Sequence, residues 1–101
     1  MTTVHPPSPV ASLLGAYLYQ GWGDEYANVW DAVDDALMQA RAEDIHAARD
    51  EVRALIAESP DEERILEHIV SCWRLDHWPP GDGQLAGAWI EQLGRRVASA
   101  S

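Results

Sequence analysis

The chain has no lysine, a single cysteine and no long apolar run, and each shortage closes off a class of protein. Cys72, being alone, cannot form an internal disulfide, which fits a reducing cytoplasm. No apolar stretch approaches the roughly 20 residues that span a bilayer. The opening "MTTVHPP" lacks the basic patch and apolar core of a secretory signal, so the expectation is a soluble, cytoplasmic protein with no membrane partner. Without lysine, the seven arginines face 17 Asp and Glu, for a net charge of −10 at pH 7. Such a surface repels nucleic acid and attracts basic proteins. Acidity also serves plain solubility, so charge by itself names no function. A glycine-rich phosphate loop, a nucleophile elbow and a His-Glu-x-x-His pattern are all missing, which argues against catalysis and against a bound cofactor.

What is present is helical periodicity. The length of 101 residues suits one domain. Residues 1–7 read as a disordered leader, and 8–101 as the helical domain. Ser8 and Pro9 start a helix whose stripe is Val10, Leu13, Leu14, Tyr17 and Leu18, with Gly21 as its expected end. Asn28 caps a second, with Val29, Trp30, Val33, Leu37 and Ala40 facing inward. Ile45, Ala48, Val52, Leu55 and Ile56 mark a third. No glycine, proline or serine separates the two, yet one helix over 29–58 would run about 45 Å, too long for a domain with a radius of gyration near 13 Å. A break at 40–44 is therefore predicted. In "SPDEE", Ser59 and Pro60 predict a fourth start, with Glu62 completing a capping box; Ile65, Leu66, Ile69, Val70 and Trp73 follow inward. After the non-helical "LDHWPPGDG", Ala86, Trp89, Ile90, Leu93 and Val97 line a fifth. No two-residue alternation of a half-buried strand occurs. The predicted fold class is all-α, a single compact domain of about five short helices.

Two candidate chemistries are weak on residue types alone. His68, Cys72 and His77 invite a zinc site, but no second Cys or His pair closes a four-ligand sphere, and a lone thiol beside Trp73 reads as a packed small hydrophobe. The expected metal set is none; a small metal-dependent hydrolase using carboxylates and His68 or His77 is the reading this disfavours. His46 faces outward. Asp31, Asp34 and Asp35 lie together opposite the core stripe of the second helix, where water keeps them ionised, whereas an acid/base pair needs environments that push two pKa values apart. Met38 projects into the middle of these carboxylates with Trp30 at the edge. Interfaces place apolar anchors inside polar rims in this way, although a single exposed Met on a solvated face is also ordinary.

The run "LLGAYLYQGWGDEYANVWDAVDDAL" resembles the N-terminal part of the CdiI-type immunity proteins of contact-dependent growth inhibition and related polymorphic toxin systems. In that family an aliphatic helix ends in a Tyr-x-[His/Tyr]-Gln-Asp-Trp pattern, followed by an acidic-aromatic pair and a Trp-bearing amphipathic helix. "SPDEERILEHIVSCWRLDHWPPGDG" followed by "AWIEQLGRRV" is similar to the family's second half, so the likeness runs over 12–98. Gly21 stands where the family prefers Asp, and Tyr19 where it often has His. The resemblance implies a protein without enzymatic activity that binds and neutralises a cognate antibacterial toxin; an acidic helical adaptor or antitoxin-like regulator without a delivered toxin is the alternative. The expected partner is a basic protein, possibly a nuclease domain, since a nuclease cleft must be cationic to hold phosphate. Within the corner 17–26, Tyr17 and Leu18 belong to the core stripe, and Trp22 is expected to plug the joint between helices one and two. The expected toxin-binding residues are Tyr19, Gln20, Asp24, Glu25, Tyr26, Trp30, Asp31, Asp34, Asp35 and Met38. A second acidic face, Asp61, Glu62, Glu63 and Glu67, is the alternative contact.

Overall fold

Every helix after the first has to lay its apolar stripe on one shared core, and the chain breaks wherever that demands a change of direction. The computed structural model describes residues 8–101; the predicted leader over 1–7 lies outside them. Among the described residues there are five α-helices and no strand: α1 Pro9–Leu14, α2 Val29–Gln39, α3 Ala42–Ala57, α4 Glu62–Glu67 and α5 Ala86–Ala100. The Cα radius of gyration is 13.1 Å, and the longest extent is 42 Å. A single 29–58 helix would fill that extent by itself. The break predicted at 40–44 is present: Ala40 and Arg41 are both extended. It has no glycine or proline to cause it. The drive is burial, because Ala32, Val33, Ala36 and Leu37 of α2 and Ile45, Ala48, Val52 and Leu55 of α3 reach the same core only if the chain turns between them.

α3 is the central element, packing most extensively on α5 and α1. Gly94 makes the α3–α5 approach close: a Cβ there would stand 3.3 Å from Val52 Cγ1 and 3.7 Å from Ile56 Cδ1. α5 faces inward with Ala86, Trp89, Ile90, Leu93 and Val97, all buried as the periodicity predicts.

The N-termini of α1, α4 and α5 are held by carboxylates, not always the predicted ones. Ser8 caps α1, its Oγ accepting from the Ala11 N–H, while that hydroxyl donates to Glu51 of α3 at 2.6 Å. Glu51 also accepts from the Val10 N–H at 2.8 Å and the Trp73 indole N–H at 2.9 Å. The start of α4 is Asp61, which accepts from the Arg64 N–H at 2.8 Å. Ser59 is not the cap; it turns the chain with φ 51°. Glu62 is therefore free of the predicted capping box and reaches across instead, its carboxylate accepting from the N–H groups of Ala86 and Gly87. Leu85 before α5 has no capping side chain of its own. A carboxylate at a helix N-terminus satisfies unpaired donors and meets the positive end of the dipole.

Three further departures share one theme, irregular backbone. α1 ends at Leu14, seven residues before Gly21, and 15–18 continue as turns that still bury Leu18. Gly21 does serve as the left-handed turn, at φ 95°. α4 widens at its end into a π-turn over His68–Cys72, with the Trp73 N–H bonding to the His68 carbonyl. That wider turn keeps Ile69 and Trp73 inside and rotates Val70 and Cys72 out. Cys72 is thus exposed, not a packed thiol, and Val70 is not core. Trp22 is half-buried against the core, but the joint it plugs is a different one: its indole N–H donates to the Asp76 carbonyl, and its ring meets His77 edge-on. The Asp76 N–H in turn donates to the Leu18 carbonyl at 2.9 Å. The corner is sewn to the connector after α4, which no local pattern announces.

Candidate functional site

The Tyr26–Asp35 hydrogen bond joins the aromatic corner to α2, and the residues singled out on the two differ in their surroundings. Met38 is 82% exposed, as its helical phase predicts. Asp31 and Asp34 are also exposed. Asp35 is half-buried, a correction to the fully watered position expected of it, because it turns toward the corner and accepts from the Tyr26 hydroxyl at 2.6 Å. Asp34 is neutralised: Arg96 Nη1 of α5 donates to its two oxygens at 2.6 and 2.7 Å. The same guanidinium lies over the Trp30 ring, 4.8 Å from its centroid. Trp30 stacks at 5.6 Å on the buried Trp89, so it is largely a packing residue that supports the face from beneath.

Tyr19, Gln20, Asp24 and Glu25 are exposed around Trp22. The Tyr19 hydroxyl donates to Glu25 at 2.5 Å. That bond, followed by burial and the charges of Glu25 and Asp24, raises the Tyr19 phenol above its ordinary value. Tyr26 is pushed up to about 12, first by its bond to Asp35 and then by burial and the Asp35 and Glu25 charges. A phenol donor orients a carboxylate without cancelling its charge, unlike the arginines paired with Glu43, Asp50, Glu58 and Asp34 elsewhere. The sign of the pH effect follows. The native state holds the Tyr26 proton more tightly than the unfolded chain, so this contribution is whole below the ordinary phenol value of about 10 and disappears as pH rises through about 12. Phenolate absorbance in a pH titration should therefore include a late component near 12 that Tyr26→Phe removes; its survival in that variant would assign the shift to another tyrosine.

The histidine and cysteine set does not converge. The His68 ring packs edge-on against Trp73, His77 is buried with its ring 5.9 Å from Trp22 and 5.2 Å from Trp89, and Cys72 is at the surface. Among the described residues, no three His, Cys, Asp or Glu side chains gather as metal ligands, and no helix is long and apolar enough to cross a membrane.

What periodicity did not pick out is the contribution of α5. Gln92, Arg95 and Arg96 form the far wall of a groove whose near wall is Asp34, Leu37 and Met38 of α2. The signal was available in principle: residues 92, 95, 96 and 99 fall on one helical face beside the inward Leu93, a spacing of three and four.

The face is therefore acidic along α2, carries one exposed Met, and is bordered by the arginines of α5. The family model described as CdiI immunity protein matches residues 8–97. The chain belongs to the CdiI immunity protein family. A chain in the crystal structure of the CdiA-CT/CdiI complex from Y. kristensenii 33638 is similar in fold, with a TM-score of 0.80 at 14% identity, over 89% of this chain and 91% of that chain. Among curated proteins none matches. The span matched by the family model takes in α1, most of α5 and everything between.

Proposed function

We infer that this CdiI-family protein acts in the cytoplasm as an immunity protein: it binds a cognate toxin and neutralises it by association alone, without turnover. The observation that carries the reading is Met38, 82% exposed on a face bordered by Asp31, Asp34 and Asp35, in a chain of net charge −10. An apolar anchor inside a polar rim is how interfaces concentrate their binding energy. The partner's contact surface is cationic, as a nuclease cleft is. Carboxylates then stand where phosphates would, and long-range attraction raises association toward about 10⁸ M⁻¹s⁻¹. Tyr19, Gln20, Asp24, Glu25 and Tyr26 extend the contact edge from α2.

Replacing Asp31, Asp34 and Asp35 together with Asn tests this reading. Association with the cognate toxin domain should slow by about tenfold and lose most of its salt dependence. Asp34, already paired with Arg96, should contribute least of the three. Met38→Ala should raise the dissociation rate and leave Tm within a degree or so, since so exposed a side chain contributes little to folding. Stopped-flow kinetics unchanged in both variants would move the contact to another face, the Asp61, Glu62, Glu63 and Glu67 side of α4 first.

A further inference from the structure

The groove between α2 and α5 adds a requirement that acidity alone does not. It is an open groove lined by Asp34, Leu37 and Met38 of α2 and by Gln92, Arg95 and Arg96 of α5. Arg96 is committed, clamped to Asp34 at 2.6 Å and laid over Trp30. Arg95 is not: it is exposed and, among the described residues, no carboxylate lies within ion-pair distance of it. Arg41, Arg49, Arg64 and Arg96 do have partners; Arg53 and Arg74, like Arg95, have none among the described residues, so what sets Arg95 apart is its place at the groove. A cation with an unused charge beside the apolar Leu37 and Met38 repels a basic side chain and accepts an acidic one.

Resting on the reading above, the geometry points to one occupant: a segment of the toxin that places an apolar side chain against Leu37 and Met38 and a carboxylate on Arg95. The broad acidic face draws the cationic toxin in, and the groove then selects among toxins. One that presents lysine or arginine at this point meets Arg95 and is refused. One that presents aspartate or glutamate gains a charge-assisted contact beside an apolar one, the pairing that fixes register in interfaces.

The test turns on the sign of a charge change. If only overall attraction mattered, Arg95→Glu would strengthen binding to a cationic toxin, because it makes the protein more acidic. The groove predicts the reverse. With the cognate toxin domain as the probe, Arg95→Glu should weaken the complex by about 100-fold and Arg95→Ala by about tenfold. Arg41→Glu, the same charge change at an exposed site where α2 meets α3, should leave affinity equal or higher. Circular dichroism melts of all three should match wild type, since both arginines are exposed. Equal or tighter binding by Arg95→Glu overturns the groove assignment and leaves the immunity reading standing. Failure of the wild-type protein to bind the toxin domain overturns both.

Discussion

Glu51→Ala should lower stability by about 3 kcal/mol, a fall in Tm of roughly 15 °C for a domain of this size. Few single carboxylates carry so much. Glu51 of α3 accepts from the Ser8 hydroxyl at 2.6 Å, the Val10 N–H at 2.8 Å and the Trp73 indole at 2.9 Å. It therefore ties the first turn of α1 and the end of α4 to the central helix. Each of these is a hydrogen bond to a charged acceptor, worth about 1.5–3 kcal/mol singly, and their shared acceptor makes them less than additive. The Trp73 N–H is the costly one to abandon, because Trp73 is only 1% exposed and water cannot replace the lost acceptor. Trp73→Phe removes that donor and keeps much of the ring. In the double variant with Glu51→Ala the two losses should overlap by about 1 kcal/mol or more. A Glu51→Ala melt within 3 °C or so of wild type would mean that Glu51 is a surface residue in solution.

Trp89→Ala should cost still more, about 4 kcal/mol, because it empties the largest volume at the centre of the aromatic stack. Trp89 is fully buried between Trp30 and His77, at ring distances of 5.6 and 5.2 Å. Trp30 in turn carries the Arg96 guanidinium that neutralises Asp34. The core thus sets the charge pattern of the outer face, and the truncation should disturb both. Trp89→Phe is the control. Among the described residues the Trp89 indole N–H has no hydrogen-bond partner, so its loss costs nothing polar, and a smaller ring should lose only about 1–2 kcal/mol of packing. Chemical denaturation of the two variants separates the cases. Equal losses would show that the ring's volume is not what matters there.

Residue spacing located α2, α3 and α5 because each of these helices is long enough for a burial stripe to repeat. Every inward position predicted for α5 is buried, and Asn28 caps α2 as its side chain suggests, accepting from the Asp31 N–H at 3.0 Å. The shorter elements were less readable for a physical reason. α1 and α4 have six residues each, under two turns, so their ends are decided by partners elsewhere in the chain: Glu51 for the first, the π-turn leading to Trp73 for the second. Ser59-Pro60 is a good local start signal, yet Asp61 caps α4 and Glu62 serves α5 instead. Local propensity lost to a contact 24 residues away.

The outer face was legible in the same graded way. The exposure of Met38 followed from helical phase, and the phenol–carboxylate pairs Tyr19–Glu25 and Tyr26–Asp35 lie within nine residues in sequence. The Arg96–Asp34 pair spans 62 residues, and only the packing of α5 beside α2 brings it together. A face read from one helix as uniformly acidic is therefore a mixed one, with α5 supplying the cations. Binding partners that differ by a single charge would be told apart by that mixture more than by net charge.

The central claim is that this protein works by holding a cationic toxin, and equilibrium binding tests it most directly. Purified protein titrated into its cognate toxin domain should form a one-to-one complex, tighter than nanomolar, whose association slows as salt is raised. The toxin's activity should fall in proportion to the complex formed. A titration that shows no complex, or one in which the toxin stays fully active when bound, would contradict the account.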